Sequence, residues 1–228
     1  MSHGPSNDYR DRVLAQQTVW AAGAYDALSA KMIERAGFDA VMTSGFGVSA
    51  SLLGMPDAEL YTMTENAGVV RNVANAVKIP VIADMDTGYG NAINVMRSVR
   101  EFESAGVSAI IMEDQLAPKR CPICVSGVET IGLEEAVKKI EAAVEARRNP
   151  NMLIIARTDV DSVPEAIRRA KAYVSAGADV IQPISNTFKD LDGLQTLRKE
   201  AGVPLSLQIL GWLERDLTPE HIASVAGM

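Results

Sequence analysis

The chain has 228 residues, of which 47% are hydrophobic and 22% are charged, and this composition excludes a disordered or fibrous protein. Its 22 Lys and Arg against 29 Asp and Glu give a net charge of −7, so neither nucleic acid nor an anionic membrane surface is expected as a partner. Two cysteines do not make a disulfide scaffold, and no apolar run reaches the roughly 18 residues that cross a bilayer. Residues 1–17 are polar and lack the apolar centre of a signal peptide. We therefore expect a cytoplasmic protein in which this polar N-terminal segment precedes a single domain, residues 18–228.

Short apolar segments alternate along the chain with longer segments of helical period. The predicted strands are residues 19–24, 40–44, 81–84, 109–113, 153–157, 180–182 and 205–210. The predicted helices are residues 27–36, 65–77, 91–105, 133–147, 163–176 and 191–201. Strands that are apolar on both faces are typical of a parallel sheet covered by helices.

A helix–glycine–strand pattern recurs in this order. An Ala-Gly pair ends a predicted helix at residues 36–37, 105–106, 176–177 and 201–202, and a strand follows shortly after each pair. Each glycine is predicted to adopt the left-handed conformation that ends a helix. Polar residues close four different strands, which is typical of a (β/α)8 TIM-type barrel, whereas an open doubly wound sheet concentrates them at one point. We therefore predict an α/β fold of the barrel type.

Carboxylates close two consecutive strands of the predicted barrel. Asp84 and Asp86 follow the third strand, before a glycine-containing loop, and Glu113 and Asp114 end the fourth. Positions i and i+2 of an extended segment share one side, so these acids are expected to converge and to repel one another. A cation with oxygen ligands, of which Mg²⁺ is the best fit, would neutralise them. The alternative is that the acids stabilise helix N-termini.

A second candidate lies in the loop that follows. Lys119 and Arg120 precede Cys121 and would stabilise its thiolate, so this thiol is a candidate acid or base. Cys124 completes a Cys-x-x-Cys pattern, which also occurs in redox dithiols and zinc sites. Zinc lacks further ligands here, because His3 and His221 are the only histidines. The second cysteine is interpreted as a chance occurrence, with a regulatory disulfide as the alternative.

Two further segments could bind an anion. Arg157, at the end of the fifth strand, could hold a carboxylate with two parallel hydrogen bonds, or it could form a structural ion pair with Asp159. Residues 43–47, Thr-Ser-Gly-Phe-Gly, offer backbone N–H groups and a hydroxyl.

Together these segments resemble the isocitrate lyase/phosphoenolpyruvate mutase superfamily. The matching stretches, in the family's order, are GAYDALSA (23–30), TSG (43–45), GMPD (54–57), ADMDTGYG (83–90), EDQ (113–115), KRC (119–121) and ARTD (156–159). The resemblance implies a β/α barrel, commonly a tetramer with swapped C-terminal helices, and Mg²⁺ at its rim, with Mn²⁺ as an alternative. We expect a homo-oligomer, either a dimer or a tetramer, and a small carboxylate as substrate.

The resemblance also implies roles for individual residues. Asp84 would ligate the metal directly, and Asp57, Asp86 and Glu113 would hold it largely through water. The expected catalytic residues are Cys121, which would protonate the carbon left by C–C cleavage, with Arg157 and Lys119. The expected substrate-binding residues are Tyr25, Ser44, Gly45, Phe46 and Gln208.

A cysteine in this loop resembles the lyase branch of the superfamily, since the branch that acts on C–P bonds typically has asparagine and serine. The leading hypothesis is therefore a Mg²⁺-dependent C–C lyase acting on a small 2-hydroxy or 2-oxo di- or tricarboxylate. A phosphonopyruvate mutase or hydrolase is the second hypothesis.

Some residues depart from the family pattern. Pro122 and Ile123 replace a glycine and a histidine, Ile184 replaces a glutamate, and Gln208 replaces an asparagine. These changes motivate a third hypothesis, a barrel that binds a ligand or partner without standard lyase activity. Ala226-Gly227 repeats the helix-ending pair, so the next strand would be the eighth. We accordingly expect this chain to lack strand eight and the swapped helices.

Overall fold

The computed structural model describes residues 5–122, 124–125, 127–184 and 186–226. Six strands form one parallel sheet in which each strand pairs with the next along the chain. They are β1 (Ala21–Ala24), β2 (Ala40–Thr43), β3 (Val81–Asp84), β4 (Ala109–Glu113), β5 (Leu153–Thr158) and β6 (Val180–Pro183). This consecutive order is that of a barrel wall and has no reversal of the kind that an open doubly wound sheet contains. The chain thus forms a six-stranded half-barrel, and the predicted fold class is confirmed.

Ten helices lie within the described residues. They are α1 (Pro5–Leu14), α2 (Ala27–Arg35), α3 (Gly45–Leu53), α4 (Met63–Ala76), α5 (Ala92–Ser104), α6 (Leu133–Ala146), α7 (Val163–Ser175), α8 (Leu191–Ala201), α9 (Trp212–Asp216) and α10 (Pro219–Ala226). All six predicted helices are confirmed, with ends shifted by no more than two residues. The four helix-ending glycines at 37, 106, 177 and 202 have positive φ, as predicted. None of the helices in the described residues combines the length and apolarity needed to cross a membrane.

The N-terminal segment contains a helix that the sequence analysis did not predict. Tyr9 on α1 is 5% exposed and packs in one cluster with Ala40, Ile82 and Ala109 of the strands. Burial raises the pKa of the Tyr9 hydroxyl well above its usual value. Helix α1 therefore covers apolar side chains of the sheet despite its polar composition.

The predicted seventh strand, residues 205–210, does not form over this range. Only Leu205 pairs with β6, through a bridge to Ile181. In this bridge the Ile181 N–H donates to the Pro204 carbonyl, and the Ser206 N–H donates to the Ile181 carbonyl. The next ladder bond would come from the N–H of residue 183, and that residue is proline. Because proline has no N–H to donate, the pairing ends after one bridge.

Alternate residues of each strand face opposite sides of the sheet. One set packs under the helices and includes Ala83, Met112 and Ala156. The other set forms a separate apolar layer on the inner face of the half-barrel, and includes Ile82, Ile111, Ile155 and Val180. Two residues further along each of these strands, the inner face becomes polar. The fold therefore places a polar layer at the carboxyl ends of the strands.

A buried ion pair joins strand β4 to helix α7. Arg169 Nη1 donates to Asp114 Oδ2 over 2.9 Å, and the Tyr173 hydroxyl donates to the same oxygen over 2.7 Å. The Asp159 N–H donates to Asp114 Oδ1 over 2.9 Å. Asp114 therefore faces the helices rather than the converging rim that the sequence analysis predicted for it.

Removing this arginine should destabilise the fold. We expect Arg169→Met to lower the free energy of unfolding by about 3–5 kcal/mol, because it leaves the Asp114 charge buried without its ion pair. The neighbouring Arg168 is exposed, so Arg168→Met should cost less than about 1 kcal/mol. Urea unfolding of both variants measures the difference, and equal values would show that the Asp114 pair does not stabilise the fold.

Candidate active site

The polar layer contains one side chain from each of four consecutive strands. Asp84 and Glu113 are the last residues of β3 and β4, and Arg157 and Gln182 are the last but one of β5 and β6. On the inner face Glu113, Arg157 and Gln182 are in register. A cavity of about 630 Å³ runs along this face. Its wall includes Asp84, Arg157 and Gln182 together with Ser44, Asp57 and Cys121. The structure thus brings part of each predicted set to one cavity, including Asp57 and Asp84 of the metal ligands, Ser44 of the substrate-binding residues, and Cys121 and Arg157 of the catalytic residues.

Asp84 is held by two backbone N–H groups. Its Oδ2 accepts from the Gly45 N–H over 3.1 Å, and its Oδ1 accepts from the Asp86 N–H over 3.1 Å. Asp86 itself has φ of 49°, a left-handed conformation that is uncommon for a residue other than glycine. The two carboxylates do lie close together, but the predicted reason was wrong: the chain turns after Asp84 instead of staying extended.

Asp86 is fully buried and fixed by tyrosines. The Tyr61 hydroxyl donates to Oδ1 over 3.1 Å, and the Tyr89 hydroxyl donates to Oδ2 over 2.6 Å. Burial raises the pKa of Asp86, and the nearby Asp84 charge adds to the shift while Lys119 opposes it. The Asp86 carboxylate is therefore rigid and close to a second negative charge.

Lys119 lies among three carboxylates. Its Nζ is 2.5 Å from Asp86 Oδ1, 3.0 Å from Asp57 Oδ1 and 3.7 Å from Glu113 Oε1. Burial alone would lower the pKa of Lys119, but the charges of Glu113, Asp84 and Asp86 outweigh it and hold that pKa well above its usual value. The ammonium group thus partly compensates the charge of an acidic cluster formed by Asp57, Asp86 and Glu113. The sequence had instead suggested that this charge stabilises the Cys121 thiolate.

Arg157 is paired on both sides. Its Nε and Nη2 donate to the two Asp159 oxygens over 2.7 and 2.8 Å, and its Nη1 is 2.9 Å from Glu113 Oε2. The alternative of an ion pair with Asp159 is therefore what the structure shows, although the guanidinium also contributes to the cavity wall. Burial raises the pKa of Glu113 to about 8, even though the positive charges of Arg157 and Lys119 oppose this shift.

The predicted carboxylate-binding segment forms the first turn of α3. Ser44 is the N-cap and its Oγ accepts from the Gly47 N–H over 3.2 Å. The Gly45 N–H is used by Asp84, and no hydrogen bond from the Phe46 N–H is found within the described residues. Tyr25 is 45% exposed, packs against Gly47 and does not line the cavity. Gln208 does line the cavity.

The two thiols lie at the cavity. Cys121 and Cys124 are both free, and their Sγ atoms are 3.0 Å apart with Cys124 as the donor. This hydrogen bond raises the pKa of Cys124. Pro122 also contributes to the cavity wall, and Ile184 is 3% exposed after β6. Ile123, which takes the place of the family's histidine, lies outside the described residues.

Gly45 leaves no room for a side chain. A Cβ at this position would stand 2.9 Å from Asp84 Oδ2 and 2.9 Å from the Tyr61 hydroxyl. We expect Gly45→Ala to lower the free energy of unfolding by about 1–3 kcal/mol through overpacking. Gly68, inside α4, has no atom near such a Cβ, so Gly68→Ala should stabilise the protein by about 0.5–1 kcal/mol. Urea unfolding tests both, and a neutral Gly45→Ala would show that Asp84 is free to move.

The acidic cluster has the donor chemistry of a magnesium site. Both Glu113 carboxylate oxygens and Asp57 Oδ1 are buried and accept no hydrogen bond, although ion pairs reach them. Oxygen donors of this kind are those that Mg²⁺ prefers. Across the part of the chain that the structure describes, no three His, Cys, Asp or Glu side chains form a preassembled site. We attribute this to Lys119, whose ammonium lies between the carboxylates.

Comparisons with known proteins identify the family of this chain. A family model described as phosphoenolpyruvate phosphomutase matches residues 11–226. The chain belongs to the isocitrate lyase/phosphoenolpyruvate mutase superfamily. It is 51% identical over 175 residues to 2,3-dimethylmalate lyase of Eubacterium barkeri, covering 75% of this chain and 60% of that one. It is 43% identical over 199 residues to 2-methylisocitrate lyase of Aeropyrum pernix, covering 86% and 63%.

Solved structures of the superfamily share the fold. A phosphonopyruvate hydrolase in complex with oxalate and Mg²⁺ superposes with a TM-score of 0.86 at 36% identity, covering 99% of this chain and 78% of that one. The chain spans about three-fifths of the length of the two curated lyases it matches. The predicted superfamily is thus confirmed.

Two residues of the site were not predicted from the sequence. Tyr61 binds Asp86, and Gln182 shares the polar layer with Arg157. Gln182 was detectable, since it lies in a predicted strand in phase with inward residues. Tyr61 carries no such signal, because it lies in a loop whose path depends on the tertiary fold.

Proposed function

We propose that this protein is a Mg²⁺-dependent carbon–carbon lyase whose substrate is a small 2-hydroxy or 2-oxo acid with two or three carboxylates. One observation carries the proposal: a single cavity contains the Asp84 carboxylate, the Arg157 guanidinium and the Cys121 thiol. The two relatives named as lyases support it, because 2,3-dimethylmalate and 2-methylisocitrate are both 2-hydroxy acids of this kind.

The charge of the site supports the need for a cation. Five acidic side chains surround two basic ones, so acidic groups are in excess: the acids are Asp57, Asp84, Asp86, Glu113 and Asp159, and the bases are Lys119 and Arg157. An anionic substrate would be repelled from such a site without a divalent ion. Asp84, with Asp57, Asp86 and Glu113, would hold Mg²⁺. When bound, the ion would stabilise negative charge that develops on the substrate oxygen beside the cleaved bond.

The chain's own groups perform the remaining steps. The Phe46 N–H and the Ser44 hydroxyl, at the N-terminus of α3, would bind a substrate carboxylate. In a 2-hydroxy acid the hydroxyl group would lose its proton to water and become a carbonyl as the C–C bond breaks, and the electron pair of that bond would pass to the carbon next to the other carboxylate. The Cys121 thiol would then donate its proton to that carbon, and the resulting thiolate would recover a proton from water. Lys119 would keep Asp57 and Asp86 in place.

A direct test is turnover of a panel of such acids by the purified protein with Mg²⁺. Formation of a 2-oxo acid and a second carboxylate from at least one of them supports a lyase. Phosphonopyruvate belongs in the panel, because a phosphonopyruvate hydrolase shares the fold, and ³¹P NMR would reveal C–P cleavage. Calorimetric binding without turnover would favour the ligand-binding barrel that Ile184 motivates.

We also infer a cytoplasmic homo-oligomer, a dimer or a tetramer, from the resemblance to the superfamily. Light scattering coupled to size-exclusion chromatography measures the mass of the assembly. A monomer of 24.4 kDa would contradict this inference.

A further inference from the structure

The Gln182 amide is buried and incompletely bonded at the wall of the cavity. Its side chain is 1% exposed, and its Oε1 accepts a hydrogen bond from the Ser206 hydroxyl over 2.8 Å. Its Nε2 has no hydrogen-bond partner among the described residues. An unpaired buried amide is destabilising, so native proteins seldom keep one without a ligand or a function for it.

The position of this amide indicates what it could bind. Gln182 is in register with Arg157 on the neighbouring strand, and Arg157 is in register with Glu113. Across the sheet, the polar layer therefore changes from carboxylates on β3 and β4 to a cation on β5 and to a neutral donor on β6. An acid whose first carboxylate is bound at the N-terminus of α3, beside Asp84, would extend its other end toward Arg157 and Gln182.

We propose that Gln182 is a specificity-determining residue that donates from Nε2 to the second carboxylate of the substrate, the one not held at the N-terminus of α3. This inference rests on the proposed function and adds to it the residue that selects acids with a second, distant carboxylate over shorter acids. The Arg157 charge beside the amide favours an anionic oxygen over a neutral one. The Ser206 hydroxyl holds the amide in place without using its nitrogen.

Calorimetry in the presence of Mg²⁺ tests the role of Gln182 apart from catalysis. The probes are oxalate, which has no distant carboxylate, and malate, the simplest 2-hydroxy dicarboxylate. We expect Gln182→Met, which keeps the length of the side chain but removes the donor, to weaken malate binding by about 10- to 100-fold. Oxalate binding should stay unchanged. Gln182→Glu, which keeps an acceptor for Ser206 but adds a negative charge, should weaken malate binding further.

Gln195→Met is the matched control, because Gln195 is an exposed residue on α8. It should bind both acids as the parent protein does. Equal weakening of malate and oxalate in Gln182→Met would overturn the proposal in favour of a structural role, and unchanged malate binding would overturn it outright. If the parent binds neither acid, the proposed function itself fails, and that result is distinct because it needs no variant.

Discussion

Replacing Cys121 with serine is expected to lower kcat for C–C cleavage by about 10²–10⁴-fold, the usual contribution of a positioned acid. A serine hydroxyl is a much weaker acid than a thiol and cannot deliver a proton to carbon at the same rate. The substitution removes no charge and barely changes the size of the side chain. KM should therefore change little, because the lost interaction belongs to the transition state.

The neighbouring thiol supplies the control for this experiment. Cys124 is exposed, and its Sγ donates to Cys121 Sγ, a hydrogen bond that a serine hydroxyl can also make. Cys124→Ser should accordingly retain most of the turnover. Steady-state kinetics on both variants separates the two cysteines. Full activity of Cys121→Ser would exclude it as the acid, and equal losses in both variants would show that the thiols act as a pair.

The strands and helices of this fold were predictable because their periodic patterns are strong. Strands β1 to β6 are short apolar runs, and five of them, all except β2, are followed directly by a helix with one apolar face. In a barrel, consecutive strands are neighbours, so order along the chain is also order in space. For that reason Asp84, Glu113 and Arg157 could be assigned to one rim without knowledge of any contact.

The partners of these side chains were not predictable, because they depend on long-range packing. Lys119 was assigned to Cys121 on the grounds of sequence proximity, yet its Nζ contacts Asp57 and Asp86, which are more than 30 residues away in sequence. Helix α3 was missed because its first turn, with two glycines and a serine cap, has the composition of a loop. The predicted length of the seventh strand was wrong because of Pro183, which lies in the neighbouring strand β6 and not in the predicted strand itself.

Removal of divalent cations with EDTA is expected to reduce turnover by at least about 100-fold, and added Mg²⁺ or Mn²⁺ should restore it. The charge stabilisation that a metal supplies amounts to several kcal/mol, and every 1.4 kcal/mol or so changes the rate about tenfold. Asp84→Asn should show the same loss even with saturating Mg²⁺, since Asp84 is the expected direct ligand. The exposed Asp216 on α9 provides the matched control, and Asp216→Asn should behave like the parent.

The position of Lys119 provides a test that does not depend on activity. Without metal, Lys119→Met leaves buried carboxylates uncompensated, so we expect the free energy of unfolding in EDTA to fall by about 3–5 kcal/mol. Mg²⁺ bound to Asp57, Asp86 and Glu113 would replace the missing charge, so the ion should stabilise this variant more than it stabilises the parent. Urea unfolding with and without Mg²⁺ measures both effects. If Mg²⁺ stabilises the variant and the parent equally, the ion does not bind to the carboxylates that Lys119 contacts, and this site assignment is wrong.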